Sequence, residues 1–197
     1  SSIGGENLSL FQVRQDFSIN SGNRSWRNRT KTLGTVFHET ATPRATAKAE
    51  MNYFRNNVVK ASVHGFIDDV EIVHCLPFPE LCWGAGPTAN SQFIQVELCH
   101  FDNSPEKFFN IWRRAVWWFA QIHIMIGVTT ITNRNCMSHD ECSKVFRDTD
   151  HVDPVGYFAQ YGKTVDDFRH DVQQEINAQM RGGSFIVQQW EIDALNW

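Results

Sequence analysis

Phe93-Ile-Gln-Val-Glu-Leu-Cys99 is the stretch that decides how this chain folds. Side chains along a β-strand alternate between its two faces, so Ile94, Val96 and Leu98 share one face while Phe93, Gln95, Glu97 and Cys99 share the other. The first face is purely apolar and belongs against a core. The second carries a glutamate in mid-strand, where a charged group needs a functional or structural reason.

Working outward, the flanking segments give this strand its neighbours. Leu33 to Phe37 is a short apolar run that would deliver His38 at its tip. Val63 to Ile67 and Val70 to Leu76, separated by Asp68-Asp69, have the pattern of a hairpin. After His38, Thr42-Pro43 offers a cap followed by proline at a first helical position, and Ala47, Met51, Phe54 and Val58 recur at helical spacing. Downstream, Ser104-Pro105 opens the longest helix, with Phe108, Ile111, Trp112, Ala115, Phe119, Ile122 and Ile126 as its apolar stripe. Val128 to Ile131 reads as a further strand, and a polar loop carrying His139 and Asp153 follows. Thr164, with Asp167 three residues on, then starts a helix bearing Val165, Phe168, Val172, Ile176 and Met180. Strands alternating with amphipathic helices define an α/β domain. Gly182-Gly183 stops the last helix, which sets the domain at residues 1–183 and leaves 184–197 as a tail or linker whose apolar content favours docking.

Composition narrows the function. A net charge of -4, from 18 Lys and Arg against 22 Asp and Glu, provides no basic stripe and argues against a nucleic-acid partner. The longest apolar stretch, Ala115 to Val128, is interrupted by Gln121 and His123 and preceded by Arg113 and Arg114, so no membrane insertion is expected. The opening Ser-Ser-Ile-Gly-Gly has neither a positive start nor an apolar block, so no signal peptide is visible there. Five cysteines without a C-x-x-C pair favour free thiols over a disulfide framework, with Cys136 and Cys142 placed to bridge a short loop as the alternative.

Several blocks then agree in order. Thr35-Val-Phe-His-Glu-Thr-Ala-Thr42, Ser62-Val-His-Gly-Phe-Ile67, Ile72-Val-His-Cys-Leu-Pro77, Trp83-Gly-Ala-Gly86, Asn90 leading into Phe93 to Cys99, Ser138-His-Asp and Asp150-His-Val-Asp-Pro154 together resemble the type 2 N-acetylmuramoyl-L-alanine amidases. That family includes phage lysins, bacterial autolysins and the peptidoglycan recognition proteins. The likeness covers about residues 33 to 158, and ordered blocks are more specific than any single short motif.

The resemblance implies a mixed central β-sheet flanked by helices and a zinc site held by His38, His139 and Asp153, with Asp148 and Asp150 as the competing carboxylates. Two imidazoles and one carboxylate leave a position open for water, the hallmark of a catalytic rather than a structural zinc site. Glu97 takes the family's acid-base role, and His151 stands where many relatives place an oxyanion-stabilising lysine. His64, Trp83 and Asn90 are the implied substrate contacts, whereas His74, His100, His123 and His170 read as structural or solvated. The implied activity is zinc-dependent hydrolysis of the bond between N-acetylmuramic acid and L-alanine in bacterial peptidoglycan, by a secreted autolysin at the cell wall or a phage endolysin released from its host. The alternatives are a peptidoglycan-binding module of the same fold that does not cut, and a zinc hydrolase of another amide.

Overall fold

The computed structural model describes residues 10–187. Six strands form one sheet in the order β1-β4-β3-β5-β2-β6: β1 (Val13–Gln15), β2 (Gly34–Glu39), β3 (Gly65–Ile67), β4 (Ile72–His74), β5 (Phe93–Leu98) and β6 (Cys136–Ser138). Only β3 and β4 pair antiparallel, as the two arms of the expected hairpin; the remaining pairs are parallel, so the sheet is mixed. The two longest strands, β2 and β5, lie side by side near its centre and are buried along almost their whole length, as parallel strands covered on both faces must be.

The alternation in β5 sorts these two faces. Ile94, Val96 and Leu98 enter the main core with Phe37, beneath the 22-residue helix spanning Pro105–Ile126 and the helix Val165–Met180. Phe37 lies between rings of both helices, 6.3 Å from Phe119 and 4.6 Å from Phe168. Burying each such side chain stabilises the fold by about 2 kcal/mol, which makes this face the main source of stability. The opposite face has a smaller apolar cluster of Val36, Ala85, Ala89, Phe93, Met137 and Cys142, and it leaves room for polar chemistry. Among the described residues, the α-helices around the sheet include α1 (Ala47–Asn56), α2 (Gly86–Asn90), α3 (Pro105–Ile126), α4 (His139–Phe146), α5 (Val155–Gln160) and α6 (Val165–Met180).

Three sequence expectations give way to local physics. Helix α1 starts at Ala47 and is capped by Thr46, whose side chain accepts from the Ala49 N–H; Thr42-Pro43 lies in the preceding loop, where Ala41 and Arg44 adopt left-handed backbone angles. Val58, counted into that helix by its spacing, lies beyond its end and is exposed. Val128 to Ile131 is not a strand, because its backbone groups find other partners. The Val128 N–H donates to the His123 carbonyl, the Gln173 side chain bonds both Thr129 and Ile131, and the Asn135 side chain takes Thr130. The edge strand is Cys136–Ser138 instead, set against β2 from Thr35 to Phe37.

Other expectations match the structure. Thr164 and Asp167 form a reciprocal capping box at the start of α6. Trp112, Trp117 and Trp118 are all core residues of α3. All five cysteines are free and buried, including Cys136 and Cys142. Beyond Gly182-Gly183, Ile186 is buried and Phe185 packs beside it on the main core, with the Glu175 carboxylate accepting from the Ser184 hydroxyl and the Ile186 N–H. The rest of the expected tail, and the first nine residues, lie outside the described residues.

Candidate metal centre and active site

Register brings the first two site residues together. His38 on β2 is the partner of Glu97 on β5, and Val36 is the partner of Gln95. Adjacent partners in a parallel ladder point the same way, so His38, Gln95 and Glu97 share the polar face of the sheet. His139 arrives from another direction, as the first residue of α4. Ser138 caps that helix through a reciprocal capping box with Glu141, and Arg169 on α6 clamps both Glu141 carboxylate oxygens at 2.7 and 3.0 Å. Asp153 comes from the loop after α4, held by its carbonyl accepting from the Asp140 N–H and its carboxylate from the Glu39 N–H.

These three side chains converge. His38 Nδ1 lies 3.1 Å from His139 Nδ1 and 3.2 Å from Asp153 Oδ2, and His139 Nδ1 lies 3.0 Å from Asp153 Oδ1. Ligand bonds of 2.0–2.2 Å in a tetrahedral zinc site imply separations of about 3.3 Å between ligand atoms, so the spacing fits such an ion. The donor set fits too: two imidazole nitrogens and a carboxylate within reach of one another are the ligand types of a catalytic zinc site. Both imidazoles are buried and the carboxylate is largely so.

The competing carboxylates are engaged elsewhere. Asp148 accepts from the Thr88 N–H and hydroxyl at 2.8 and 2.7 Å, and the Asp150 side chain is 97% exposed.

Each charge responds to this crowding. Burial would raise the Asp153 carboxyl, but its bonds to His139 and His38 hold it far below the ordinary range. Burial lowers His38, yet the hydrogen bond and charge of Asp153 outweigh it and the net shift is upward. His139 is lowered, by burial first and then by the positive charge of His38 against the pull of Asp153. Glu97 is pushed up to about 8, chiefly by burial, with Asp153, Glu50 and Glu39 adding to the shift and His38 opposing it. A carboxyl poised near neutrality suits proton transfer in both directions.

The rim is more open. His151 is exposed, and its ring lies nearly parallel to that of His139 with centroids 4.9 Å apart. With Asp153, Glu39 and Tyr157 it lines a cavity of about 360 Å³. Trp83 is half-buried, and its backbone is tied to Ser62, its N–H donating to the Ser62 hydroxyl and its carbonyl accepting from the Ser62 N–H.

Two implied substrate contacts are engaged within the protein itself. His64 is fully buried, and both ring nitrogens serve the backbone, Nδ1 accepting from the Gln95 N–H and Nε2 donating to the Glu80 carbonyl. Burial and the nearby Arg29 charge lower it to about 3, so it stays a neutral strut. Asn90 is also buried, its Oδ1 committed to the Gly84 and Ala85 N–H groups and to the Gln95 amide. Two site residues were not singled out from the sequence. Gln95 meets His38 Nε2 at 2.8 Å, and Thr149 meets His139 Nε2 at 2.6 Å. Gln95 could have been flagged by its place on the Glu97 face of the strand; nothing in the sequence marks Thr149.

Comparison with known proteins gives the family and fold. Residues 28–156 match the family model described as N-acetylmuramoyl-L-alanine amidase. Protein Ami of Listeria monocytogenes is 33% identical over 152 residues, covering 75% of this chain. The bifunctional autolysin of Staphylococcus aureus is 29% identical over 166 residues, covering 81%. The chain spans only 17% and 13% of the lengths of these two relatives. The crystal structure of the Staphylococcus aureus hydrolase AmiA in complex with its ligand superposes with a TM-score of 0.79 at 25% identity, covering 92% of this chain and 91% of that one. With its ordered blocks, its mixed sheet and its match over most of the domain, the chain belongs to the N-acetylmuramoyl-L-alanine amidase family.

Proposed function

We propose that this chain is a zinc-dependent amidase that hydrolyses the bond between the lactyl group of N-acetylmuramic acid and L-alanine in bacterial peptidoglycan. The observation that carries this reading is the convergence of His38, His139 and Asp153 beside the Glu97 face of the sheet, in a chain of this family. His38, His139 and Asp153 would hold the ion. Zinc held there supplies Lewis acidity, polarising the scissile carbonyl and making water at the open position more acidic.

The protein's own groups do the rest. Glu97, on the same face of the sheet as His38, takes the proton of the attacking water and returns it to the departing alanine nitrogen. His151, exposed beside His139, donates an N–H to the developing oxyanion, a contact whose loss typically costs about 3 kcal/mol of transition-state stabilisation. Trp83, half-buried, offers a flat apolar ring for sugar or peptide. The setting is the bacterial cell wall, as an autolysin or endolysin.

Digestion of purified cell walls tests this. New alanine amino groups without new reducing sugar ends, abolished by a chelator, are the expected result. New reducing ends would overturn it, and binding without release would identify a recognition module instead.

A further inference from the structure

We infer that Gln95 and Asn90 form a positioning relay that dictates the tautomer of His38, keeping hydrogen on Nε2 and the lone pair on Nδ1, where it faces His139 and Asp153. The inference rests on the metal-site reading above and deepens it, because it assigns two buried side chains to preparing a ligand before any ion arrives.

The relay follows from donor and acceptor polarity alone. Asn90 Oδ1 accepts from the backbone N–H groups of Gly84 and Ala85 at 3.0 and 2.8 Å. Backbone amides only donate, so the atom facing them must be the oxygen of the side chain and not its nitrogen. The same oxygen lies 2.8 Å from Gln95, which must therefore turn its own nitrogen, Nε2, towards Asn90. Gln95 Oε1 is then left facing His38 Nε2 at 2.8 Å. A carbonyl oxygen carries no hydrogen, so the hydrogen of that contact belongs to His38 Nε2, and the neutral ring keeps a bare Nδ1. Asp153 Oδ2 lies 3.2 Å from that Nδ1 and competes for a hydrogen there, but His139 Nδ1, 3.0 Å from Asp153 Oδ1 and 3.1 Å from His38 Nδ1, is placed to donate to both.

None of the three side chains can easily evade this chain of bonds. His38 is 2% exposed, Gln95 0% and Asn90 7%, so water does not substitute for a lost partner. Gly84 completes the device: a Cβ at that position would sit 2.5 Å from Gln95 Oε1, so any side chain there would push the acceptor away from His38. The other imidazole lacks such a device. His139 Nε2 contacts the Thr149 hydroxyl, which can donate or accept and so leaves the tautomer undecided.

Without the relay, a fraction of His38 would carry hydrogen on Nδ1, at the point where the ion must bind. Partners of this kind typically change metal affinity by about 10- to 100-fold.

The test measures zinc affinity by competition with a chromophoric chelator, and reads the tautomer of zinc-free His38 from ¹⁵N chemical shifts at a pH where its ring is neutral. The wild-type protein should show hydrogen on Nε2 alone. Gln95→Leu should give mixed tautomers and a loss of zinc affinity of about 10- to 100-fold. Gly84→Ala, which leaves Gln95 in the chain, should move both readouts the same way and by less, and it serves if Gln95→Leu does not fold. Hydrogen on Nδ1 in the wild type would overturn the inference, as would unchanged affinity and an unchanged single tautomer in the variants. A wild-type protein that bound no zinc would defeat the functional reading instead, and the ¹⁵N spectrum would still decide the relay.

Discussion

His38 and His139 reach the same point in space by different constructions. His38 is built into the sheet: its partner across the ladder is Glu97, and a one-residue slip would turn the whole polar set into the main core. His139 and Asp153 are built from a helix start and a loop, held by individual polar contacts: the Ser138–Glu141 box, the Arg169 clamp and the Asp140–Asp153 backbone bond. The strand half is fixed by cooperative packing that opens only with the domain. The loop half can loosen locally, because contacts made one at a time can break one at a time. Under the proposed function, this division would give the ion one ligand held in the sheet, His38, and two on the helix start and loop.

Breaking the strand half should have the largest effects. His38→Ala should abolish zinc binding, measured as metal content after dialysis, and reduce wall hydrolysis to background. Glu97→Gln should keep the metal and lower turnover by about 10²- to 10⁴-fold, since it removes the proton carrier and not a ligand. Equal metal loss in both variants would remove Glu97 from its assigned role.

The loop half should respond in smaller steps. His151→Ala should lower kcat by about 10²-fold, in line with the loss of one oxyanion donor, and leave both zinc content and melting temperature unchanged because the ring is exposed. An unchanged kcat would make His151 a bystander on the rim. Arg169→Ala removes a buried cation that touches Glu141, Asp166 and the Cys136 carbonyl, and should cost about 3 kcal/mol in denaturant unfolding. If the loop half is the looser one, its zinc dissociation rate should rise more than its global stability falls.

The smallest expected effect lies in the anchoring of β2. His123 accepts from the Thr35 hydroxyl and donates to the Val128 carbonyl, and burial lowers it from 6.5 to about 4. The unfolded chain therefore binds a proton between pH 6.5 and 4 that the folded chain refuses, so this stability is complete above pH 6.5 and is lost as pH falls towards 4. At pH 4.5 the loss should reach about 2 kcal/mol, measured by denaturant melts in chelator so that zinc release does not contribute. His123→Gln should flatten that part of the profile; an unaltered profile would assign the acid sensitivity to other groups, with neutral His64 the first candidate.

Periodicity made most of the fold legible, because the two faces of β5 and the buried side of α3 follow from spacing alone. It misplaced the start of α1 and took Val128 to Ile131 for a strand, since backbone groups there are satisfied by the side chains of Gln173 and Asn135, remote or nearby partners that propensity does not see. The convergence of His38, His139 and Asp153 was foreshadowed by the ordered blocks, and the place of Glu97 on the same face as His38 by strand alternation.

The sequence by itself determined the residue types, the alternation that puts His38, Gln95 and Glu97 on one face, and the membership of an amidase family. Only the tertiary structure brought Asp153 beside the two histidines, committed His64 and the Asn90 oxygen to partners within the protein, and lined up Asn90, Gln95 and His38 in one chain of hydrogen bonds. The reason is physical: alternation and capping are local properties of the chain, whereas ligand convergence and hydrogen-bond polarity depend on which distant groups share a buried volume.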